Sequence, residues 1–448
     1  MRRAGTVFLV LAALAFTPGA AHAAPKLKTL WNFCTAHFCT DGQHPTSGVI
    51  VDKLGDAYGA TAGDLQGDPG GDPHKSVLFG VGPGIAIYNN NPQATFFRLV
   101  EFCSALNCTD GAQAASNIFG TIILSPTDPK LTITAYGTTV TGGAYNGGAI
   151  FMANLTTHQT IYSFCKTADS FSSCADGAQP GDIVTDSSGN IYGTTAGGGA
   201  NAGYPSGPGV LYRLTKAGSY KVLHDFCSEA SCIDGATPIS RQLALYNNAL
   251  YGTTYGGGKG YGVVFRFDLS TNHFDVLYTF CQKASCTDGA YAQAGVTFDT
   301  VHGILYGTTQ YGGTTGYGVL YTIAKPTGTA AVAAASFKPL KSFCTSTACA
   351  DGAYPGWAPA ADGAGNLIGA TYQGGATGTG TLYEYTPAAA KPYKLLYAFC
   401  SLASCTDGAN PEGPVTLFPS GTGWKTIYGT TVNGGTNSNS GTVFTYTP

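Results

Sequence analysis

Residues Phe33 to Gly42 read Phe-Cys-Thr-Ala-His-Phe-Cys-Thr-Asp-Gly, and this stretch contains the pattern that decides the fold. The pattern is Phe-Cys, four residues, Cys, one residue and Asp-Gly. It begins again at five further cysteines, which are Cys103, Cys227, Cys281, Cys344 and Cys400. A looser copy, with eight residues between the cysteines, lies at Cys165 and Cys174. One repeated unit therefore organises the whole chain.

The seven pairs use all 14 cysteines of the sequence. A metal site is the alternative interpretation of such pairs, but no second pair of cysteines or histidines accompanies them at the spacing of a zinc site. Local disulfides are favoured, and each would stabilise its loop by about 2 kcal/mol in the chain-entropy model. The predicted bonds are Cys34–Cys39, Cys103–Cys108, Cys165–Cys174, Cys227–Cys232, Cys281–Cys286, Cys344–Cys349 and Cys400–Cys405.

The start of the chain predicts export. Residues 1–23 have the features of a signal peptide, with Arg2 and Arg3 first, then an apolar run, then the small-residue site Ala21-His22-Ala23. The apolar run is shorter than the roughly 20 residues that span a bilayer. Because disulfides persist in oxidising compartments, we expect a secreted or periplasmic protein with no membrane span and a single domain over residues 24–448.

The charge of the chain argues against two classes of partner. Removal of Arg2 and Arg3 changes the formal net charge from −3 to −5, and only 10% of the residues are charged. Nucleic-acid binding depends on neutralising phosphates, so this composition predicts no nucleic-acid partner. No basic run is present that would bind an anionic membrane surface.

The spacing of the repeat predicts a β-propeller. Successive Phe-Cys cysteines are separated by 54 to 69 residues, which is the length of one supersecondary unit. Short Val, Ile, Tyr and Phe runs, broken by Gly, Asn and Asp, indicate an all-β protein. Four short strands in such a period are typical of a propeller blade. In the unit that begins at Cys227 the predicted strands are Gln242–Tyr246, Ala249–Thr254, Gly262–Phe267 and Phe274–Phe280.

The two ends of the chain predict how the ring closes. The last unit stops after a third strand, Gly441–Tyr446, whereas the mature chain begins with an unpaired fourth strand, Leu27–Phe33. The N-terminal strand should complete the last blade, which gives seven blades and protects the terminal edges. A stacked solenoid is the alternative, but it would need capping units. We expect a monomer.

At Tyr428–Phe444 the sequence has the pattern Tyr-Gly-Thr-Thr, Gly-Gly and Gly-Thr-Val-Phe, and Tyr-Gly-Thr-Thr recurs at Tyr136, Tyr192, Tyr251 and Tyr306. The mature chain thereby resembles the GloVer tandem-repeat family of bacterial secreted proteins. The resemblance implies an exported repeat protein and no particular activity. Members often carry a C-terminal surface anchor, and because this sequence stops at Pro448, directly after a strand, we expect free secretion or periplasmic residence.

Residues that repeat in every unit are predicted to be structural, because a single catalytic site needs one or two copies. A short acidic side chain before Gly can accept backbone N–H groups and fix a turn. This interpretation covers the seven aspartates of the Cys loops, which are Asp41, Asp110, Asp176, Asp234, Asp288, Asp351 and Asp407. The Gly-Gly loops lack the Lys and the helix of a phosphate-binding loop.

Residues that break the repeat are the candidates for function. The propeller topology places the Cys loops and the Gly-Gly loops on one face, called the top face here, and loops on a rigid scaffold commonly carry binding residues. Just after Asp-Gly the units diverge, with His44, Asp182, Arg241, Gln293, Trp357 and Glu412. Trp357 and Gln293 are predicted to bind substrate. Arg241 could hold a carboxylate, and His44, Asp182 or Glu412 could transfer protons.

Two long loops could form walls of the same site. The first contains His74 and the acidic residues Asp64, Asp68 and Asp72, which could supply oxygen ligands to Ca²⁺ although they match no EF-hand. The second contains Tyr204, a further candidate for substrate contact. Each loop is alternatively an ordinary solvated loop. No other cofactor is expected.

The predicted partner is a glycan or a cell-surface polymer. One hypothesis is a glycan-active enzyme at a single top-face site, either a hydrolase that uses Asp182 and Glu412 or a lyase that uses Arg241 with His44 or a nearby Tyr. A glycoside hydrolase needs two carboxyl groups at a defined separation. The alternative is a carbohydrate- or surface-binding propeller without catalysis, and a third possibility is a structural envelope protein. Serine, thiol and zinc hydrolase motifs are missing from the sequence.

Overall fold

A computed structural model describes the chain in fourteen segments. They are residues 26–35, 39–62, 76–83, 95–103, 108–109, 119–124, 133–153, 157–166, 174–201, 206–239, 241–324, 336–419, 424–437 and 439–448. The predicted signal peptide, Asp64, Asp68, Asp72, His74 and Tyr204 lie outside these segments.

Seven antiparallel sheets form the molecule, and each is one blade. Blade 1 consists of β2 (Ile50–Val51), β3 (Ala57–Ala60), β4 (Val77–Val81) and β5 (Phe96–Glu101). Blade 2 consists of β6 (Phe119–Leu124), β7 (Ile133–Thr139), β8 (Ala149–Ala153) and β9 (His158–Ser163). Blade 3 consists of β10 (Ala178–Thr185), β11 (Ile191–Gly197), β12 (Val210–Leu214) and β13 (Tyr220–Asp225).

The next three blades follow the same order. Blade 4 consists of β14 (Ala244–Tyr246), β15 (Ala249–Thr253), β16 (Val263–Asp268) and β17 (His273–Thr279). Blade 5 consists of β18 (Val296–Asp299), β19 (Ile304–Thr309), β20 (Val319–Ala324) and β21 (Phe337–Ser342). Blade 6 consists of β22 (Ala360–Ala361), β23 (Leu367–Thr371), β24 (Thr381–Tyr385) and β25 (Tyr393–Ala398). The strands predicted for blade 4 are confirmed, with bounds that differ by two residues or fewer.

Blade 7 joins the two ends of the chain, as predicted. It consists of β26 (Ala409–Pro411), β27 (Thr416–Phe418), β28 (Thr426–Asn433), β29 (Thr442–Thr447) and β1 (Lys26–Asn32). Strands β1 and β29 are antiparallel, and Lys26 is opposite Thr447. The first strands of neighbouring blades contact one another, β10 with β14, β14 with β18, β18 with β22 and β2 with β27, so they line a central channel.

All seven predicted disulfides are formed, and no cysteine is free. Within the disulfide loops the structure describes four short 3-10 turns, Ala230–Cys232, Ala284–Cys286, Thr347–Cys349 and Ala403–Cys405. No helix of the described residues is long and apolar enough to cross a membrane.

The Cys loops and the Gly-Gly loops share the top face, as the topology predicted. In blade 5 the carbonyl oxygen of Cys286 accepts a hydrogen bond from the backbone N–H of Gly313, at 3.0 Å. The equivalent bond runs from Gly258 to Cys232 in blade 4 and from Gly435 to Cys405 in blade 7. In blades 2 to 7 the two upper loops are therefore tied together through main-chain atoms, which favours a rigid face.

The six repeated aspartates that the structure describes fix turns, as predicted, and Asp110 lies outside the described residues. Asp288 accepts bonds from the backbone N–H groups of Gln282 and Lys283 and from the hydroxyl of Tyr278, at 2.7 Å. Tyr278 lies ten residues before Asp288, and other loops place a His, Lys or Tyr at that spacing. His224, Lys341 and Tyr397 contact Asp234, Asp351 and Asp407 in this way.

The core of each blade depends on an aromatic ring that crosses a glycine. In blade 5 the ring of Tyr321, on the third strand, lies over Gly307 of the Tyr-Gly-Thr-Thr strand. A Cβ at Gly307 would be 2.3 Å from the hydroxyl oxygen of Tyr321, so a larger residue cannot occupy this position without displacing the ring. The first threonine after that glycine donates to the next blade, as Thr308 does to the carbonyl of Trp357.

Candidate functional site

Two cavities lie along the central channel among the residues that the structure describes. The upper cavity is about 190 Å³ and is lined by Arg241, Gln293, Gln310, Tyr354, Trp357, Tyr372 and Glu412, among others. The lower cavity is about 220 Å³, and its lining includes Ser47, Asp182, Arg241, Gln242, Trp357 and Thr416. Gln310 and Tyr372 belong to the upper loops, whereas the lower cavity extends along the first strands. Arg241 and Trp357 line both cavities and therefore separate them.

Irregularities of the first strands place the two predicted carboxylates in the channel. The register between β10 and β11 shifts between Pro180 and Ile183, which brackets Asp182. In blade 7 the innermost strand is interrupted between β26 and β27, and Glu412 lies in that interruption. A β-bulge redirects side chains and is common beside functional sites. Each carboxylate thus leaves the regular alternation of its strand.

An ion pair crosses the channel at the boundary between the cavities. The Nη1 atom of Arg241, in blade 4, is 2.9 Å from Oε1 of Glu412, in blade 7, and each side chain is 17% exposed. The guanidinium lies 5.4 Å from the ring centroid of Trp357, within range of a cation–π interaction. The backbone N–H of Arg241 donates to the carbonyl of Gln293 at 3.1 Å. Four predicted site residues, from four different blades, therefore meet here.

Asp182 is half-buried and lines the lower cavity. Its Oδ2 atom accepts a long hydrogen bond from the backbone N–H of Leu243, at 3.4 Å. Burial raises the pKa of the Asp182 carboxyl to about 7, and the backbone N–H groups of Ile183 and Leu243 oppose this increase only in part. Near neutral pH, the Asp182 carboxyl group is therefore partly protonated.

The structure does not bring every predicted residue to this point. Asp182 lines the lower cavity and Glu412 the upper one, with Arg241 between them. His44 lines neither cavity, and its Nδ1 atom is 2.9 Å from the carbonyl oxygen of Val432 in blade 7. Among the described candidates, Arg241, Gln293, Trp357 and Glu412 share one cavity. The candidate site at the upper cavity thus contains four of the six residues that the sequence suggested.

An arc of tyrosines on blades 4, 5 and 6 was not predicted from the sequence. The ring centroids of Tyr255 and Tyr291 are 4.7 Å apart, those of Tyr291 and Tyr311 are 5.7 Å apart, and those of Tyr311 and Tyr354 are 5.4 Å apart. Tyr261 and Tyr317 pack beside Tyr291 and Tyr354. These six residues are called the tyrosine arc. Tyr354 also lines the upper cavity, so the arc is continuous with the channel mouth.

A repeated backbone conformation aims two rings of this arc. The third residue after the Asp of each Cys loop has a left-handed φ, between 52° and 58°, in all six blades where it is described. It is His44, Gln179, Thr237, Tyr291, Tyr354 or Asn410. The conformation is unfavourable for a residue with a Cβ, and the N–H of Tyr354 offsets that cost by donating to the carbonyl of Tyr317. The backbone is constant here while the side chain varies from blade to blade.

Amides continue the surface on blade 7. Asn410 occupies the position of Tyr354 one blade further, and its Nδ2 atom donates to the carbonyl of Tyr372 at 3.0 Å. Its Oδ1 atom accepts from Asn433 at 3.1 Å. The tyrosine arc is therefore followed by amide groups with donor and acceptor capacity.

The sequence analysis did not compare residues at a fixed distance after the Asp of each Cys loop, and that comparison would have pointed to the tyrosines. The candidates His44, Gln293, Trp357 and Arg241 lie three, five, six and seven residues after their Asp, so they are not equivalent positions. A comparison at the third residue alone gives Tyr291 and Tyr354 in adjacent units. The ring contacts between units still required coordinates, because Tyr is also an ordinary strand residue.

Comparison with known proteins gives one family match. Residues 133–342 match the Gloeobacter/Verrucomicrobia repeat, which agrees with the resemblance seen in the sequence. No curated protein sequence matches the chain.

Many solved structures have a similar backbone. The extracellular domain of BT4673 from B. thetaiotaomicron is 13% identical, with a TM-score of 0.49 over 92% of this chain and 40% of that chain. A GH74 xyloglucanase from Xanthomonas campestris is 12% identical, with a TM-score of 0.47 over 83% of this chain and 55% of that one. The present chain thus spans less than two thirds of either structure. Likeness at this level carries no argument about function.

Proposed function

Because this chain carries the Gloeobacter/Verrucomicrobia repeat on a seven-bladed propeller, we propose that it is an exported protein that binds a glycan on the top face of blades 4 to 6. The tyrosine arc carries this proposal. A sugar has an apolar face of C–H groups and a polar rim of hydroxyls, and Tyr offers an apolar ring with a polar tip. A row of such rings beside a cavity matches an extended chain of sugars.

The polar groups of the upper cavity support the same proposal. Binding sites commonly combine apolar walls with a few well-placed polar groups. Gln293 and Gln310 offer amides, which donate and accept hydrogen bonds as sugar hydroxyls require. One end of the glycan would enter this cavity while the following sugar units lie on the tyrosine arc. Seven disulfides are in keeping with an exported protein.

Binding is favoured over hydrolysis for a geometric reason. A glycoside hydrolase needs two carboxyl groups on either side of one scissile bond. Asp182 and Glu412 line different cavities, and Glu412 is paired with Arg241. Of the two bases considered for a lyase, His44 lines neither cavity, whereas two tyrosines, Tyr354 and Tyr372, line the upper one. A glycan-active enzyme is the second candidate, and an activity assay distinguishes it.

Glycan-array binding followed by calorimetry tests the proposal. We expect the wild type to bind a restricted set of glycans, and Tyr291→Ala and Tyr354→Ala each to weaken the best of them about tenfold. A buried aromatic anchor is typically worth more than 1 kcal/mol, and 1.4 kcal/mol is tenfold in affinity. Tyr145→Ala is the control, because Tyr145 is a 48% exposed tyrosine on the loop between the second and third strands of blade 2, outside the arc.

Two results would contradict the proposal. One is an array without binding, and the other is an equal loss of affinity in the Tyr145→Ala control. Reducing-end and unsaturated-product assays on the bound glycans address the second candidate. If the wild type releases product in either assay and Glu412→Gln does not, the protein is an enzyme.

A further inference from the structure

We infer that the Arg241–Glu412 ion pair makes the upper cavity selective for uncharged sugars and excludes uronic acids. This inference rests on the proposed glycan binding and names the class of glycan. Of the described residues that line the upper cavity, Arg241 and Glu412 are the two charged ones. They neutralise each other at 2.9 Å, so the cavity presents no net charge to a ligand.

The geometry leaves Arg241 without a free pair of parallel N–H groups for a carboxylate. A guanidinium binds a carboxylate best with two parallel N–H groups. Nη1 of Arg241 already binds Glu412, and Nε is buried with no hydrogen-bond partner among the described residues. The ring of Trp357 lies against the guanidinium. A uronate that approached Arg241 would therefore meet the carboxylate of Glu412 in the same small space.

Displacement of Glu412 from Arg241 by a ligand carboxylate carries an energetic cost. Glu412 is only 17% exposed, so its displacement by a ligand carboxylate would leave it poorly solvated and without its partner. A buried charge that loses its partner is strongly unfavourable, and like charges facing each other suppress binding of the wrong ligand. A neutral hydroxyl needs no such exchange, because the amides of Gln293 and Gln310 can bind it. The ion pair therefore acts as a specificity determinant.

Substitution of Glu412 should reverse the preference. Glu412→Gln keeps the shape of the side chain and removes its charge, which releases Arg241 for a ligand carboxylate. The double variant Arg241→Gln/Glu412→Gln removes both the repulsion and the clamp. Glu384→Gln is the matched control, because Glu384 is paired with Lys394 at 3.4 Å on blade 6 and lines neither cavity.

The experiment is calorimetry with pairs of oligosaccharides that differ only at C6. Gluco-, galacto- and manno-oligosaccharides are each compared with the corresponding uronate oligomer. We expect the wild type and Glu384→Gln to bind the neutral member at least about tenfold more tightly. The ratio of acidic to neutral affinity should increase from the wild type to the double variant, and again to Glu412→Gln.

Each other outcome overturns a defined part of the account. If the wild type binds uronates as tightly as neutral sugars, the inference is wrong and the proposed glycan binding stands. The same holds if Glu412→Gln leaves the ratio of acidic to neutral affinity unchanged. If Glu412→Gln does not fold, the double variant, which has no unpaired charge, decides the question, because an unchanged ratio there also refutes the inference. If no member of any pair binds, the proposed function fails and the inference fails with it.

Discussion

Ionisation of Asp182, in the channel, lowers the stability of the folded protein. Its carboxyl group has a pKa near 7 in the folded protein because burial disfavours the anion, whereas an aspartate in an unfolded chain titrates near 3.9. Between these values the folded state binds more protons than the unfolded state. Stability therefore decreases as the pH rises from about 4 to about 7, and the penalty is fully present above that range.

Asp182→Asn should remove this pH dependence. The amide keeps an oxygen that can accept the N–H of Leu243, but it cannot ionise. We expect the variant to be more stable than the wild type at pH 8, by an amount on the order of a few kcal/mol, and the difference to shrink toward pH 4. Denaturant unfolding at several pH values measures the effect.

Asp186→Asn is the control of opposite sign. Burial alone would raise the pKa of Asp186, but hydrogen bonds from Asn190, Tyr192 and Ser188 lower it overall. Its anion stabilises the fold, so Asp186→Asn should destabilise the protein at neutral pH and lose this effect at low pH. An Asp182→Asn curve parallel to that of the wild type would contradict the assigned burial.

At the scale of single elements, the third strand of each blade has an aromatic residue that is either Phe or Tyr. Blades 1, 2, 4 and 7 have Phe79, Phe151, Phe265 and Phe444, whereas blades 3, 5 and 6 have Tyr212, Tyr321 and Tyr383. The three tyrosine hydroxyls are buried and contact no hydrogen-bonding group among the described residues. A buried hydroxyl without a partner costs about 1–3 kcal/mol.

Tyr321→Phe should therefore stabilise the protein, by about 1 kcal/mol. The contrasting variant is Tyr278→Phe, on the fourth strand of blade 4, which removes a hydroxyl that donates to Asp288 and should destabilise the fold. Thermal unfolding of both variants tests the pair. A loss of stability in Tyr321→Phe would show that its hydroxyl has a partner.

The same elements explain what could be predicted from the sequence. Each blade packs both of its faces against neighbouring blades, so its inner strands appear in the sequence as repeated apolar runs between turn residues. The interrupted first strand of blade 7 is different, because Glu412 lies there through pairing with β28 and not through a local preference. The bulge at Asp182 likewise depends on how β10 meets β11. Tertiary pairing therefore determines where both carboxylates point.

At the scale of the whole molecule, the closed ring converts seven similar units into one asymmetric surface. The disulfides and the aspartates recur around the ring, and this recurrence identified them as structural. The tyrosines are concentrated on blades 4 to 6, and the ion pair connects blade 4 to blade 7 across the channel. Ring geometry brings Arg241 and Glu412 together although 171 residues separate them. No local pattern predicts that contact.

The central claim is that a neutral glycan lies along the tyrosine arc with one end in the upper cavity. A crystal structure of the protein with the glycan that binds best tests it most directly. The account predicts sugar rings against Tyr291 and Tyr354, with the terminal unit above the Arg241–Glu412 pair and hydrogen-bonded to Gln293 or Gln310. A glycan bound on the opposite face or on the outer edge of a blade, with the arc empty at saturating concentration, would contradict it.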